Sequence, residues 1–227
     1  EKNAELNRML PGGYKLRMGF GLHTGWAIEG AVGSQHKVDA TYLSPHVNMA
    51  ARMETASRQY GVPILITDST HQLFTQEGKV KCRKIDVVTV KGSNQPIPIY
   101  TYDSYQDQQF PPVAPLNSRI SAKKNSHTKI MDEEAANYTP NIWESDAELK
   151  QLRIHHSSEA FEKAFAEGVN AYISGDWKKA RANLENCNDM LSELGGDGPS
   201  NTLLSYMRNR DWECPEGWAG YRELTSK

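Results

Sequence analysis

Residues 39–54, Asp-Ala-Thr-Tyr-Leu-Ser-Pro-His-Val-Asn-Met-Ala-Ala-Arg-Met-Glu, constrain the fold more than any other stretch of the chain. Pro45 suits the first turn of a helix: its ring fixes φ near the helical value, and its missing N–H has no partner to lose there. Spacing of four residues then puts Asn48 and Arg52 on one helix face. Val47, Ala50 and Ala51 make the adjoining face apolar, and the two alanines let a second element approach closely. An amide beside a guanidinium on a packed helix suits a polyphosphate whose charge rises during reaction. A polar stripe on a surface helix accounts for the same pair equally well.

The flanking segments read as alternating strands and helices. Leu16, Met18, Phe20 and Leu22 recur with period two, the signature of a strand buried on one face. Ala27 to Val32 and Val38 to Leu43 suggest two more strands. The helix from Pro45 to Tyr60 should stop at Gly61. Val62 to Thr67 reads as a short apolar strand, and Asp68 or Ser69 can cap a helix running to Phe74. Lys84 to Val90 and Ile97 to Tyr102 flank the turn-rich Lys91-Gly-Ser-Asn-Gln-Pro96, which predicts a hairpin. Such alternation suits an α/β or α+β sandwich.

Several chemistries are disfavoured. A formal net charge of −2 gives no reason to expect a nucleic-acid-binding protein. Three scattered cysteines, Cys82, Cys187 and Cys214, fit a reducing compartment better than a disulfide framework. The histidines show no His-Glu-x-x-His spacing, and His23 within a strand reads as a packed core residue. Gly19-Phe-Gly21 with Gly25 is one residue off a dinucleotide fingerprint and sits inside a strand, so close backbone packing explains those glycines better. Lys79, Lys81, Arg83 and Lys84 alternate with Val80, Cys82 and Ile85, as on a strand with one solvated basic face. No apolar run is long enough to span a membrane. The polar opening Glu1-Lys-Asn-Ala-Glu5, without initiator methionine or signal pattern, suggests a piece of something longer.

Residues 104–145 change in kind. Gln106-Asp-Gln-Gln109, Pro111-Pro112, Pro115 and the polar run 118–128 lack periodicity and read as an extended linker, with Asp132-Glu133-Glu134 as a solvated charge run. Residues 146–227 turn helical. Phe161, Phe165, Val169 and Tyr172 form an amphipathic stripe. Gly168, Gly175-Asp176-Trp177, Ala180 and Leu184 resemble one unit of a tetratricopeptide helix pair. A lone unit must pack on its neighbours or on a protein partner. The aromatic-rich stretch from Asp197 to Arg222 should dock against those helices.

Five ordered segments then resemble a known family: Leu16-Arg-Met-Gly-Phe-Gly-Leu-His-Thr-Gly25, Ala27-Ile-Glu-Gly-Ala-Val-Gly33, the 39–54 stretch, Val62-Pro-Ile-Leu-Ile-Thr-Asp-Ser69 and Val88-Thr-Val-Lys-Gly92. Together they look like the C-terminal half of a class III nucleotidyl cyclase catalytic domain, covering about residues 14–103. The resemblance implies an α+β fold: residues 1–103 as the second half of a ferredoxin-like cyclase domain, a sheet with flanking helices, followed by the 104–145 linker and a small α-helical, tetratricopeptide-like extension at 146–227.

It also implies a lyase that converts ATP, or GTP, to a cyclic nucleotide and pyrophosphate in signal transduction. Asn48 would orient the ribose, Arg52 would stabilise the transition state, and Lys91 would hold the terminal phosphates. Thr41 falls where the family reads the purine edge and leans towards ATP. The site would form with a second cyclase domain, as a homo- or heterodimer. Mg²⁺ or Mn²⁺ would be supplied by carboxylates outside residues 1–103. The implied setting is intracellular, with the cytoplasmic side of a membrane or a cilium reached through other parts of a longer protein. One departure is plain: Ser44-Pro45-His46 stands where the family usually has Gly-Asp-Thr or Gly-Asn-Thr. The alternative reading is an inactive cyclase-like structural or regulatory module in a larger assembly.

Overall fold

The computed structural model describes residues 18–34, 36–90, 95–103, 145–153, 156 and 158–224. Their architecture is α+β. Strands β1 (Phe20–Leu22), β2 (Ile28–Gly33) and β3 (Val38–Leu43) precede helix α1 (Pro45–Tyr60). Then come β4 (Ile64–Thr67), the short helices α2 (Asp68–His71) and α3 (Gln76–Lys81), and the long strands β5 (Cys82–Val90) and β6 (Ile97–Tyr102). Four helices follow, α4 (Ala147–Leu152), α5 (Glu159–Ser174), α6 (Trp177–Met190) and α7 (Gly198–Arg208), before a last strand, β7 (Arg222–Leu224). The main sheet runs β1-β4-β6-β5-β7, and β2 and β3 form a separate antiparallel ribbon.

Helix α1 starts and stops as its sequence dictates. Ser44 is its N-cap, accepting from the His46 N–H at 2.9 Å, with Pro45 in the first turn. Gly61 ends it in the left-handed conformation, φ 64°. The predicted hairpin is present as well: β5 and β6 pair antiparallel, with a register shift between Lys84 and Asp86.

The first strand differs from its reading. Met18, Phe20 and Leu22 are exposed, and the half-buried side of β1 is the glycine side. A Cβ on Gly21 would run into the carbonyl of Ala50 and the N–H of Glu54, so α1 lies directly on that backbone. Glycine here admits the helix, and the apolar side chains point to the other face. The buried face of α1 is Met53, Ala56, Ser57 and Tyr60, whereas Val47 and Ala51 are exposed.

Residues 79–81, expected at the start of a basic strand, are the end of helix α3 instead. Thr75 caps α3 by accepting from the Gly78 N–H at 3.2 Å, and the strand begins only at Cys82. Arg83 is not solvated. It is buried between Asp103, at 2.7 Å, and Asp197, at 2.6 Å, with the rings of Phe161 and Phe165 against its guanidinium. Helix α2 also starts one residue early and ends at His71, short of Phe74.

The 104–145 stretch lies outside the described residues except for Ser145. In the C-terminal region α5 and α6 form a hairpin joined at Gly175, φ 89°. Gly168 sits against Leu184, and Ala180 is fully buried between the helices. Trp218 docks on the hairpin as expected, its indole N–H donating to the carbonyls of Tyr172 and Ile173 at 3.1 Å. The region is not helical to its end: β7 joins the main sheet beside β5, with Val88 opposite Arg222. Met53, Tyr60, Leu65, Val88 and Ile99 share one continuous core with Phe161, Phe165, Tyr172, Trp177 and Leu203. Among the described residues no helix is long and apolar enough to cross a membrane.

Candidate functional site

The start of α1 is where β1, β3 and β4 converge. Ser44, besides capping the helix, donates its hydroxyl to the Trp26 carbonyl at 2.6 Å. Ser-Pro-His is therefore a competent helix start, in which one hydroxyl ties the cap to the loop after β1. His46, in the first turn, stacks on His23 with ring centroids 5.0 Å apart and meets the edge of Trp26. Gly25 is required beside it, because a Cβ there would overlap the His46 ring.

His23 is half-buried and hydrogen-bonded, more than the packed core residue its strand context suggested. Its Nε2 lies 2.8 Å from His46 Nδ1, so one ring donates and the other accepts. Its Nδ1 faces the hydroxyls of Thr67, at 2.8 Å, and Ser69, at 3.1 Å. Burial, and then the neighbouring His46, lower its pKa. The pair thus ties the loop after β1 to the helix start through one ring-to-ring hydrogen bond. Nothing in the spacing of His23 and His46 announces it; only the strand-to-helix packing brings the rings together.

Asn48 and Arg52 follow on consecutive turns, and both side chains are exposed. They stand clear of the buried stripe of Met53, Ala56 and Tyr60, as groups reaching for a ligand must. Thr41 lies on β3, half-buried, opposite Gly30 of β2. Two residues separate it from the helix cap Ser44, so Thr41 and Asn48 flank the β3–α1 junction. Lys91 lies outside the described residues, in the connection between β5, ending at Val90, and β6, starting at Ile97. Chemically, an exposed amide and a guanidinium one turn apart can bind an anionic ester and hold its charge. Among the described residues no three His, Cys, Asp or Glu side chains converge to hold a metal ion.

The segment that carries these residues is similar to known proteins. Residues 4–103 match the adenylate and guanylate cyclase catalytic domain family. An adenylate cyclase of Anabaena cylindrica is 37% identical over 87 residues, 38% of this chain and 17% of that protein. The terminal-differentiation specific adenylate cyclase of Dictyostelium discoideum is 37% identical over 86 residues, 37% of this chain and 4% of that protein. Adenylate cyclase 1 of Rhizobium meliloti (strain 1021) is 30% identical over 86 residues, 38% of this chain and 13% of that protein. A solved bacterial light-regulated adenylyl cyclase shares 30% identity over 37% of this chain and 22% of its own, with a TM-score of 0.31. The chain therefore spans under a fifth of the length of each of these curated relatives.

Proposed function

We propose that this chain supplies one half of a nucleotidyl cyclase site, adenylyl in preference to guanylyl. The observation that carries the proposal is the exposed Asn48–Arg52 pair on α1, inside a segment similar to cyclase catalytic domains. In that role the ribose 3′-hydroxyl attacks the α-phosphorus in line and pyrophosphate leaves. Asn48 hydrogen-bonds the ribose and holds the hydroxyl on its line of attack. Arg52 faces the α-phosphoryl oxygens, where its fixed charge stabilises the transition state without reorganising. Lys91 binds the leaving phosphates as a compact point charge. Thr41, with a hydroxyl that can donate or accept, reads the purine edge and favours adenine in this reading. The described residues do not complete the site. A second cyclase domain would bring the remaining groups, and a Mg²⁺ or Mn²⁺ ion held by its carboxylates would supply charge neutralisation.

A complementation assay tests this. The purified chain with ATP or GTP and Mn²⁺ should give no cyclic nucleotide alone. Mixed with a cyclase domain that has metal-binding carboxylates but lacks the Asn and Arg, it should restore product. Arg52→Ala should then lower kcat by about 10²- to 10³-fold, the usual loss for a preorganised donor. Asn48→Ala should act alike, and Lys91→Ala should act mainly on KM. A chain that binds such a domain and never restores turnover would favour the inactive-module reading.

A further inference from the structure

We infer that the C-terminal strand is a brace for the helix carrying Asn48 and Arg52, and that Arg222 is the positioning residue through which it acts. The catalytic consequence rests on the proposed cyclase reading; the mechanical one does not.

Tyr60 is the last residue of α1 and is fully buried. Its hydroxyl donates to Asp86 Oδ2 at 2.6 Å, and Arg222 Nε donates to the same oxygen at 2.8 Å. Arg222 Nη2 closes the triangle by donating to the Tyr60 oxygen at 2.8 Å. Asp86 Oδ1 accepts from the Val87 N–H at 2.7 Å, so both of its oxygens are occupied. The guanidinium also lies against two rings, 5.3 Å from the centroid of Tyr60 and 5.1 Å from that of Tyr206. The backbone of Arg222 is held as well, because β7 is laddered to β5 from Arg222 to Leu224.

The last turn of α1 is held a second and a third time from the same region. Thr202 of α7 donates its hydroxyl to the Gln59 carbonyl at 2.8 Å, satisfying one of the acceptors a helix end leaves open. Gly198, which opens α7, abuts the Tyr60 carbonyl and Gly61 so closely that a Cβ would overlap them. No comparable set of contacts would be needed to keep a surface helix in place.

Towards its start α1 is anchored by Ser44 and His46 and, in its middle, by the glycine face of β1, which bears on Ala50 and Glu54. A rigid helix seated there behaves as a lever about its Arg52 turn. With a rise of about 1.5 Å per residue, Tyr60 lies about 12 Å to one side of that turn and Asn48 about 6 Å to the other. A shift of about 1 Å at Tyr60 therefore moves Asn48 by about 0.5 Å, the tolerance within which a reacting geometry has to be held.

The test compares Arg222→Gln with Leu184→Ala, a core truncation in the α5–α6 hairpin that touches none of these contacts. Backbone hydrogen exchange of residues 45–60 is followed in this chain, and kcat and KM in the complete protein. Arg222→Gln should speed exchange in the last turns of α1 by about tenfold. It should lower kcat by about 3- to 10-fold with KM changed less than about twofold. Arg222→Lys, which keeps charge but cannot bridge both partners, should fall between. Leu184→Ala should lower the melting temperature without either signature. Unchanged α1 exchange in Arg222→Gln, or equal changes in Leu184→Ala, would overturn the brace. If the complete wild-type protein makes no cyclic nucleotide while exchange still responds to Arg222, the brace stands and the cyclase reading falls.

Discussion

Two regions of the fold, the β5–β6 side of the main sheet and the part formed by β1 with the β2–β3 ribbon, use apolar residues in opposite ways. On β5 and β6, Ile85, Val88 and Ile99 are all 0% exposed, covered by α1 and by the α5–α6 hairpin. On β1 and the β2–β3 ribbon, Phe20 is 46%, Ile28 63% and Val38 67% exposed. Both stretches are built from the same residue types. What separates them is a neighbour: the C-terminal region brings one to β5, and the described residues bring none to the outer face of β1. A two-stranded ribbon without a covered face is marginal by itself. In the proposed function this exposed apolar surface is the one that receives the second cyclase domain.

The covered region should fail first and hardest when its polar seam is broken. Arg83 is wedged between Asp103 and Asp197, and burial works against its charge while the two carboxylates hold its pKa above the ordinary value. Arg83→Ala leaves both carboxylates buried without their cation. Such an uncompensated site costs about 3–5 kcal/mol. Denaturant unfolding should show that loss, with near-UV signals from the Trp177 and Trp218 cluster lost in the same transition. A loss below about 1 kcal/mol would mean that the seam is open to water.

Acid should reach the same seam more gently. Asp197 also caps α7, accepting from the Ser200 N–H at 2.9 Å and hydroxyl at 2.6 Å. Burial opposes its charge, but Arg83 and Ser200 outweigh burial and lower its pKa below the usual carboxylate value. A depressed carboxylate stabilises the fold above its unfolded pKa, and that stability is lost as pH falls through the folded one. Melting temperature should thus decline below about pH 4. Asp197→Asn should be less stable at neutral pH and show a shallower acid decline. A parallel offset of the two curves across that range would show that Asp197 does not titrate with folding.

Local chemistry was legible in the sequence and long-range chemistry was not. Pro45 and Gly61 bracket α1 because each fixes its own backbone, and the β5–β6 hairpin follows from a turn between two apolar runs. Asn48 and Arg52 share a face for the same local reason. The solvated reading of Arg83 failed because its partner Asp197 is 114 positions away. Period-two alternation in β1 identified a strand and named the wrong side as buried, since glycine can be the side that packs. β7 is three residues long and carries no pattern of its own. Its register is set by β5 and by Tyr60 and Asp86, the partners of Arg222, none of which a local window contains.

The smallest effect is expected in the uncovered region, and it bears most directly on the comparison. Phe20→Thr keeps a residue suited to a strand and removes a ring that is already nearly half exposed. In the isolated chain it should change unfolding free energy by less than about 1 kcal/mol, as surface changes usually do. The face carrying Phe20 is opposite the glycine face on which α1 rests, so the helix start and its His23–His46 contact should be untouched. In the complementation assay the same substitution should act differently. If the outer face of β1 receives the second cyclase domain, more of that domain will be needed for half-maximal turnover, while the saturated kcat stays near wild type. A destabilisation of the isolated chain as large as that of Arg83→Ala would mean that Phe20 is buried within the chain in solution. The two regions would then be covered alike, and the contrast between them would disappear.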